Sequence, residues 1–261
     1  MMGAHHAACG AAAWVALTAT SHLIPALGWM PQQAGSVALG AIVCAGAALL
    51  PDADHPSATI AHSVPVVGKI VTTAIAGAVG GHRHGTHSGI SAIAVSALAV
   101  LFAVLGWADT SRGSAYIIGA GIVAAILLAF ATKVLKIVRS WGVAWVSGIA
   151  IAGLVTWLVP SQWAWLPAAV AVGWIVHMMG DFLTTGGLPL AWPLKPKPPR
   201  FWSDTPILGR LWTRGGYFAF PILGNAGSWR EWLLAIPIWG YALYGMAVST
   251  VSILPFVTLP S

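Results

Sequence analysis

Residues 141–159, WGVAWVSGIAIAGLVTWLV, form an apolar run without a charged side chain, and this run indicates the class of fold. A helix needs about 20 apolar residues to cross the hydrocarbon core of a bilayer, whereas a barrel strand needs only about 10. Runs of the same character recur at 89–107 and 114–132, and neither has a charged side chain at its centre. The sequence therefore predicts a polytopic, all-α membrane protein.

The composition of the chain supports this class. Of its 261 residues, 58% are hydrophobic and 7% are charged, and the mean hydropathy is +0.83. Because a soluble domain has about 25% charged residues, this chain cannot cover a water-facing surface. These values exclude a soluble globular enzyme, a disordered protein and an ordinary nucleic-acid-binding protein.

The apolar runs divide the chain into predicted spans and one ambiguous segment. Residues 65–80 are short and contain Lys69, so they suit an interfacial or re-entrant helix as well as a span. We expect a single membrane-embedded domain over 1–261, a transmembrane bundle of about six to eight helices, with 186–230 as a polar, Pro- and Trp-rich segment on the cytoplasmic side. The predicted spans are 8–29, 36–50, 89–107, 114–132, 141–159, 163–185 and 231–258.

Lysine and arginine predict the orientation of the chain, whose formal net charge is +6. Residues 133–139 and 195–214 are the two most basic loops, and two predicted spans separate them. Both loops therefore lie on one side, which the positive-inside rule makes cytoplasmic. Two further spans place 82–88 on that side, and 51–63 and the N-terminus join it if 65–80 does not cross. The basic excess predicts contact with membrane lipids and no nucleic-acid partner.

The six acidic residues and nine histidines are few, and several lie together at the ends of apolar runs, where a charged group is costly. Asp52, Asp54 and His55 directly follow an apolar run. His177 and Asp181 are four residues apart, so a helix places them on one face. Two alternatives do not involve metal binding. The aspartates at 52 and 54 could cap a helix or form a turn, and His177 and Asp181 could form a hydrogen-bonded pair.

A third cluster lies at 82–88, and a fourth histidine segment lies near the start of the chain. A solvated, His-rich loop at the lipid headgroups is the alternative explanation of 82–88. The predicted topology allows all four segments to reach one membrane face. We expect three other histidines to be packing or surface residues: His5, His22 and His62. The two cysteines, Cys9 and Cys44, are expected to be buried free thiols.

Imidazole and carboxylate groups from four segments are the ligand set of a zinc, manganese or iron site, and no thiolate is needed. A divalent metal with an open coordination position activates water near neutral pH and polarises a phosphoryl oxygen. More than four ligands are present, so the pattern suits one to three ions, of which zinc is expected first. The expected ligands are His6, Asp52, Asp54, His55, His82, His87, His177 and Asp181.

The order of these motifs resembles that of a known family. The motifs are His6-x-x-x-Gly10, LPDADH at 50–55, HRHGTHS at 82–88, and His177-x-x-x-Asp181 followed by Trp192-Pro193. In that order they resemble the YdjM-type family of membrane-bound, metal-dependent hydrolases. More distantly, they are similar to the all-helical superfamily of zinc-dependent phospholipase C and single-strand nucleases. The resemblance covers residues 6 to about 193 and implies a multi-pass protein of the bacterial inner membrane with a hydrolytic metal site.

Residues and resemblance together predict a hydrolase that cleaves a phosphoester, or an ester, of a lipid or lipid-linked substrate. Asp52 or Asp54 is expected to bridge two metal ions or to act as general base. Arg83, helped by Thr86 and Ser88, is expected to hold the phosphoryl oxygens, because a guanidinium fits them bidentately. The alternatives are a metal-ion or proton-coupled transporter and a non-catalytic assembly or regulatory factor.

Overall fold

The computed structural model describes residues 1–109 and 114–253, which form a bundle of helices. The helices are α1 (Gly3–Thr18), α2 (Ala34–Ala47), α3 (Val67–Val79), α4 (Gly89–Val104), α5 (Ile118–Val134), α6 (Trp141–Leu158), α7 (Leu166–Phe182), α8 (Arg200–Ser203), α9 (Leu208–Leu211) and α10 (Trp229–Val251). Short 3₁₀ helices lie at Leu50–Asp54, Thr59–His62, Gly85–His87 and Pro160–Trp165. An antiparallel hairpin of β1 (Trp107–Asp109) and β2 (Ser114–Tyr116) joins α4 to α5. The predicted all-α class is confirmed.

Several helices match the requirements of a membrane span. In the described part of the chain, four stretches are long and apolar enough to cross a membrane: Ala34–Asp54, Trp141–Leu158, Gln162–Phe182 and Trp229–Val251. Helices α3, α4 and α5 are apolar but shorter. The outer side of α6 exposes Val146, Ile149 and Leu154, as a surface in contact with lipid does.

Two predicted spans have different limits in the structure. The prediction of a span at 8–29 is wrong, because α1 begins at Gly3 and ends at Thr18. Pro25 and Pro31 disfavour a continued helix. The chain instead folds back after α1, and the amide of Leu27 donates a hydrogen bond to the carbonyl oxygen of Ala16. The span predicted at 231–258 forms α10, which keeps Pro237 inside it and ends at Val251. The remainder of that prediction extends past 253, outside the described residues.

Helix α2 lies among its neighbours and contacts α1, α5, α7 and α10. Glycine makes these contacts close: a Cβ on Gly46 would lie 2.1 Å from the carbonyl oxygen of Leu127 in α5. A Cβ on Gly173 of α7 would lie 2.7 Å from the carbonyl oxygen of Cys44. Small residues at helix contacts let backbones pack closely in lipid, where hydrophobic association is weak. The contact at Gly173 holds α2 and α7 together, and both of these helices lead into the histidine and aspartate segments.

The histidine and aspartate segments gather at one end of the bundle, which we call the His/Asp end and which contains His6, Asp54, His87 and Asp181. The chain leaves this end after Asp54, forms α3 and returns at His82, whose ring lies 2.8 Å from Asp54. Helix α3 therefore does not cross the bundle. This agrees with the interfacial or re-entrant alternative for 65–80. The other long helices of the described chain run between the His/Asp end and the opposite end.

Candidate metal centre

Four segments that are distant in sequence meet at the His/Asp end. Helix α1 brings His6, the 3₁₀ helix after α2 brings Asp52, the 3₁₀ helix before α4 brings His87, and α7 brings His177 and Asp181. Their donor atoms form two groups, and within each group all donor atoms lie within 4.8 Å of one another. One group is His6, His177 and Asp181, and the other is Asp52, His87 and His177.

Four donor atoms of this cluster have the spacing of a metal site. The Nε2 atoms of His87 and His177 are 3.2 Å apart. Oδ2 of Asp181 lies 3.5 and 3.8 Å from these nitrogens, and Oδ1 of Asp52 lies 3.9 and 3.7 Å from them. In a tetrahedral zinc site with bonds of about 2.0 Å, neighbouring donor atoms are about 3.3 Å apart. The residues present therefore fit a divalent metal ion in donor type, and the distances given are close to this spacing.

The tautomer of His177 follows from its partner. Its Nδ1 lies 2.7 Å from the carbonyl oxygen of Ala48. A carbonyl oxygen only accepts, so Nδ1 carries the hydrogen and donates it. In the neutral ring, Nε2 then has a free lone pair that points into the cluster. A backbone carbonyl that orients a ligating histidine in this way is common around metal ions.

The tautomer of His87 follows from a short relay through Thr86. The Thr86 hydroxyl donates to Oδ2 of the Asp54 carboxylate, which uses the only hydrogen of that hydroxyl. Oγ1 of Thr86 also lies 2.9 Å from Nδ1 of His87, so Nδ1 must be the donor of that bond. Nε2 of His87 is thus also unprotonated in the neutral ring, and it faces Nε2 of His177.

Two nitrogen lone pairs facing each other repel unless a cation lies between them. His87 and His177 are both fully buried, and at 3.2 Å their nitrogens are too close for a water molecule to lie between them. Oδ2 of Asp181 is buried as well and has no hydrogen-bond partner in the described part of the chain. Burying such groups without a partner is costly. A divalent cation would satisfy both nitrogens and the nearby carboxylate oxygens together, whereas a proton would satisfy only one pair.

His6 lies beside this four-donor set. Its ring stacks on His177 at a centroid distance of 3.7 Å, and its Nε2 lies 3.3 Å from Oδ1 of Asp181. Nδ1 of His6 is buried without a hydrogen-bond partner among the described residues. Because His177 has one free nitrogen, it can bind only one ion. Any second ion on the His6 side would depend on His6 and on Asp181 as a bridge.

Asp54 is placed to orient the ligands. Its Oδ1 lies 2.8 Å from Nδ1 of His82, and its Oδ2 accepts hydrogen bonds from the backbone amide of Arg83 and from Thr86. The carboxylate is fully buried and is outside both donor groups. The structure therefore places Asp54 behind His87, where it fixes the loop 82–87, rather than among the closest donors.

Arg83 reaches the cluster from the same loop. Its backbone lies in the left-handed region with a φ of 56°, and its Nη2 donates to Oδ1 of Asp181 at 3.1 Å. The guanidinium passes over Gly186, where an added Cβ would lie only 1.8 Å from Nη1. The side chain is 22% exposed, so Arg83 connects the buried cluster to the surface of the protein. Gly186 was not recognised in the sequence, where a single glycine gives no signal.

The roles predicted for Thr86 and Ser88 need correction. The hydroxyl of Thr86 is occupied by Asp54 and His87, as described above. Ser88 caps α4: its hydroxyl accepts from the amide of Ser91 and donates to the carbonyl of Gly85. Both hydroxyls are thus engaged within the protein, so neither is free to hold a phosphoryl oxygen.

His55 and His82 lie at the outer edge of the cluster. Their rings meet edge to face at 4.4 Å, and neither belongs to a donor group. Nδ1 of His55 accepts from the amide of Ser57 at 3.2 Å. Tyr217 lies at the same edge, with its hydroxyl 3.4 Å from Nε2 of His84. Burial raises the pKa of this phenol, so it remains a neutral hydrogen-bonding group at pH 7.

A second buried polar cluster lies next to the first and was not predicted. Glu231 of α10 is fully buried, and its Oε1 lies 2.5 Å from Nδ1 of His5. The same carboxylate accepts hydrogen bonds from the amides of Met2 and Gly227, each at 2.7 Å. The signal available in the sequence was the rarity of acids: Glu231 is one of only six, at the start of an apolar run. His5 is a packing residue, as expected, with Glu231 as its partner.

Comparison with known proteins identifies a family. The family model described as YdjM inner membrane protein matches residues 1–253, which include every segment of the metal centre. No curated protein and no solved structure matches the chain. The resemblance predicted from the order of the motifs is thus confirmed at the level of the family, and the match extends past the motifs to the end of α10.

Proposed function

The chain belongs to the YdjM inner membrane protein family, and from this premise we propose that it is a membrane-embedded, metal-dependent hydrolase. The observation that carries the proposal is the pair of buried imidazole nitrogens, on His87 and His177, that face each other 3.2 Å apart. Carboxylate oxygens of Asp52 and Asp181 lie within 4 Å of both nitrogens. These four residues would hold the metal ion, with His6 beside them.

A bound divalent ion would supply Lewis acidity and would lower the pKa of a coordinated water toward neutrality. The protein fixes the ligands from behind: Ala48 orients His177, and Thr86 with Asp54 orients His87. Asp52 is 26% exposed, and no residue in the described chain donates a hydrogen bond to its carboxylate. Both oxygens of Asp54, in contrast, are hydrogen-bonded. We therefore propose that the second carboxylate oxygen of Asp52, rather than Asp54, accepts a proton from the attacking water.

The substrate class we propose is a phosphoester of a lipid or of a lipid-linked molecule. Arg83 supports this class because its guanidinium contacts Asp181 while its side chain remains 22% exposed, so it could also reach a phosphoryl group. The centre lies at the end of a bundle whose outer surface is apolar, so a substrate anchored in the bilayer would meet it at the headgroup level. Zinc is the metal we expect first, since the donors are nitrogen and oxygen at tetrahedral spacing.

The test combines metal analysis with a substrate screen on the purified full-length protein. We expect the parent to hold zinc and to release phosphate or a phosphorylated headgroup from a panel of phosphatidic acid, phosphatidylglycerol and polyprenyl phosphates. Asp181→Asn should lose metal and activity together. Asp204→Asn is the matched control for metal binding, because Asp204 is exposed and, among the described residues, its side chain contacts only Arg214 and Ser203; this variant should keep the metal.

Two results would overturn the proposal. If Asp181→Asn and Asp52→Asn bind metal as tightly as the parent, the carboxylates are structural. If the parent binds metal, hydrolyses no member of the panel and instead moves metal ions across proteoliposomes, the protein is a transporter.

A further inference from the structure

The segment between α7 and α10 forms a small folded unit with a basic surface. Trp212 lies at its centre: it stacks on Phe218 at 5.3 Å, meets Trp202 at 6.2 Å, and donates its indole hydrogen to the carbonyl of Pro196. These contacts hold α8 and α9 in place at the His/Asp end of the bundle. The basic side chains around them are therefore presented on an ordered surface.

A polar cavity opens on this surface. Its volume is about 510 Å³, and its lining includes Lys197, Arg200 and Arg214 together with Ser203 and a single carboxylate, Asp204. Arg214 pairs with that carboxylate at 2.7 Å. In the described part of the chain, the side chains of Lys197 and Arg200 have no acidic group within 4 Å. The cavity therefore carries an excess of positive charge and suits an anionic ligand.

Large exposed apolar side chains lie close in sequence to the residues that line the basic cavity. Leu194, Phe201 and Ile207 are 73%, 70% and 74% exposed, respectively. Exposed apolar groups beside lysine and arginine are the pattern of a surface that lies in the headgroup region of a bilayer. A soluble anion would explain the charges but not the apolar side chains next to them.

From the cavity and the exposed apolar side chains close to it in sequence, we infer that residues 194–214 bind the headgroup of an anionic phospholipid. Lys197 and Arg200 would contact the phosphate, while Leu194, Phe201 and Ile207 would enter the edge of the acyl-chain region. The same segment continues to Tyr217, which contacts the loop of Arg83 through His84. The lipid would thus be held near the loop of Arg83, although this binding does not depend on the proposed hydrolysis.

The test measures lipid affinity on the full-length protein in detergent, with a fluorescent phosphatidylglycerol as the probe. We expect the double variant Lys197→Gln/Arg200→Gln to bind it more weakly by on the order of 25-fold, because each cation near a lipid surface contributes roughly fivefold, or about 1 kcal/mol. The matched control is Lys136→Gln/Arg139→Gln, which removes the same charge from the other basic loop and should change the affinity little. Phosphatidylethanolamine should bind weakly to all three proteins.

Three results would overturn the inference. Equal weakening in both double variants would show that the protein responds to net charge rather than to this cavity. Unchanged binding in Lys197→Gln/Arg200→Gln would show that the lipid lies elsewhere. Competition by inorganic phosphate as strong as by phosphatidylglycerol would show a site for a free anion. Metal content and thermal stability, measured on the same samples, should match the parent, so that loss of the fold cannot imitate loss of the site.

Discussion

Thr86 controls which nitrogen of His87 faces the metal centre, because its hydroxyl links His87 to Asp54. Thr86→Val keeps the shape of the side chain and removes the hydroxyl, so the buried Nδ1 of His87 loses its acceptor. We expect zinc affinity to fall by about 10- to 100-fold, as for other groups that orient metal ligands. Calorimetric titration of the metal-free protein with zinc measures this. Thr86→Ser keeps the hydroxyl and should bind like the parent; if valine does so too, the relay does not fix the ring.

Gly186 leaves the room that the Arg83 guanidinium occupies. In Gly186→Ala, the new Cβ would lie 1.8 Å from Nη1. This atom is at the far end of a flexible side chain, so the arginine should move while the fold persists. We expect zinc content to stay constant and the KM for a lipid phosphoester to rise about tenfold, as loss of one charged hydrogen bond of about 1.4 kcal/mol implies.

Gly142→Ala is the control for this experiment, because its added Cβ meets no atom within 4 Å. It should leave both zinc content and KM unchanged. If Gly186→Ala also leaves KM unchanged, Arg83 does not contact the substrate.

The first turn of α1 is anchored to α10 by Glu231, and this anchor lies next to a candidate ligand, since His5 precedes His6. Glu231→Gln removes the charge from a buried pair, a kind of change that costs about 3 kcal/mol. We expect a lower melting temperature and a weaker zinc affinity, because α1 would no longer hold His6 against Asp181. Thermal unfolding in detergent and zinc titration measure the two effects.

Arg230→Gln changes the exposed neighbour of Glu231 and should alter neither property. A lower melting temperature with unchanged zinc affinity in Glu231→Gln would mean that the anchor stabilises the helices without positioning His6.

The orientation of the fold can be predicted because the metal centre and both basic loops share one end. A Cβ on Gly3 of α1 would lie 4.0 Å from Val134, where the loop 133–139 begins, and the segment 195–214 follows α7 at the same end. On the positive-inside rule, we propose that this end faces the cytoplasm. In a background without Cys9 and Cys44, we expect Lys136→Cys and Lys197→Cys to resist a membrane-impermeant thiol reagent in intact cells.

Leu27→Cys lies in the turns at the opposite end and should be labelled, which shows that the reagent reaches the outer face. Labelling of Lys136→Cys in intact cells would reverse the orientation and place the metal centre outside.

Local properties of the chain were enough to predict the class of fold and the segments that form the candidate metal centre. Run length and hydropathy depend only on neighbouring residues, so the helices could be read with errors at their ends, as at α1. The rarity of His and Asp marked His6, Asp52, His87, His177 and Asp181 correctly as a group. The same reasoning could not separate Asp52 from Asp54, because each lies in the same short motif.

The roles within that group depend on contacts between distant residues, which only the folded chain provides. On a 3₁₀ helix, side chains two positions apart point in different directions, so Asp52 faces the imidazoles while Asp54 turns to the loop 82–87. Ser88 became a helix cap because Gly85 and Ser91 take its hydroxyl. Glu231 contacts His5, which is 226 positions away in the sequence. Hydrogen-bond partners so far apart leave no local pattern, and for this reason the division into ligands, orienting groups and caps became visible only in three dimensions.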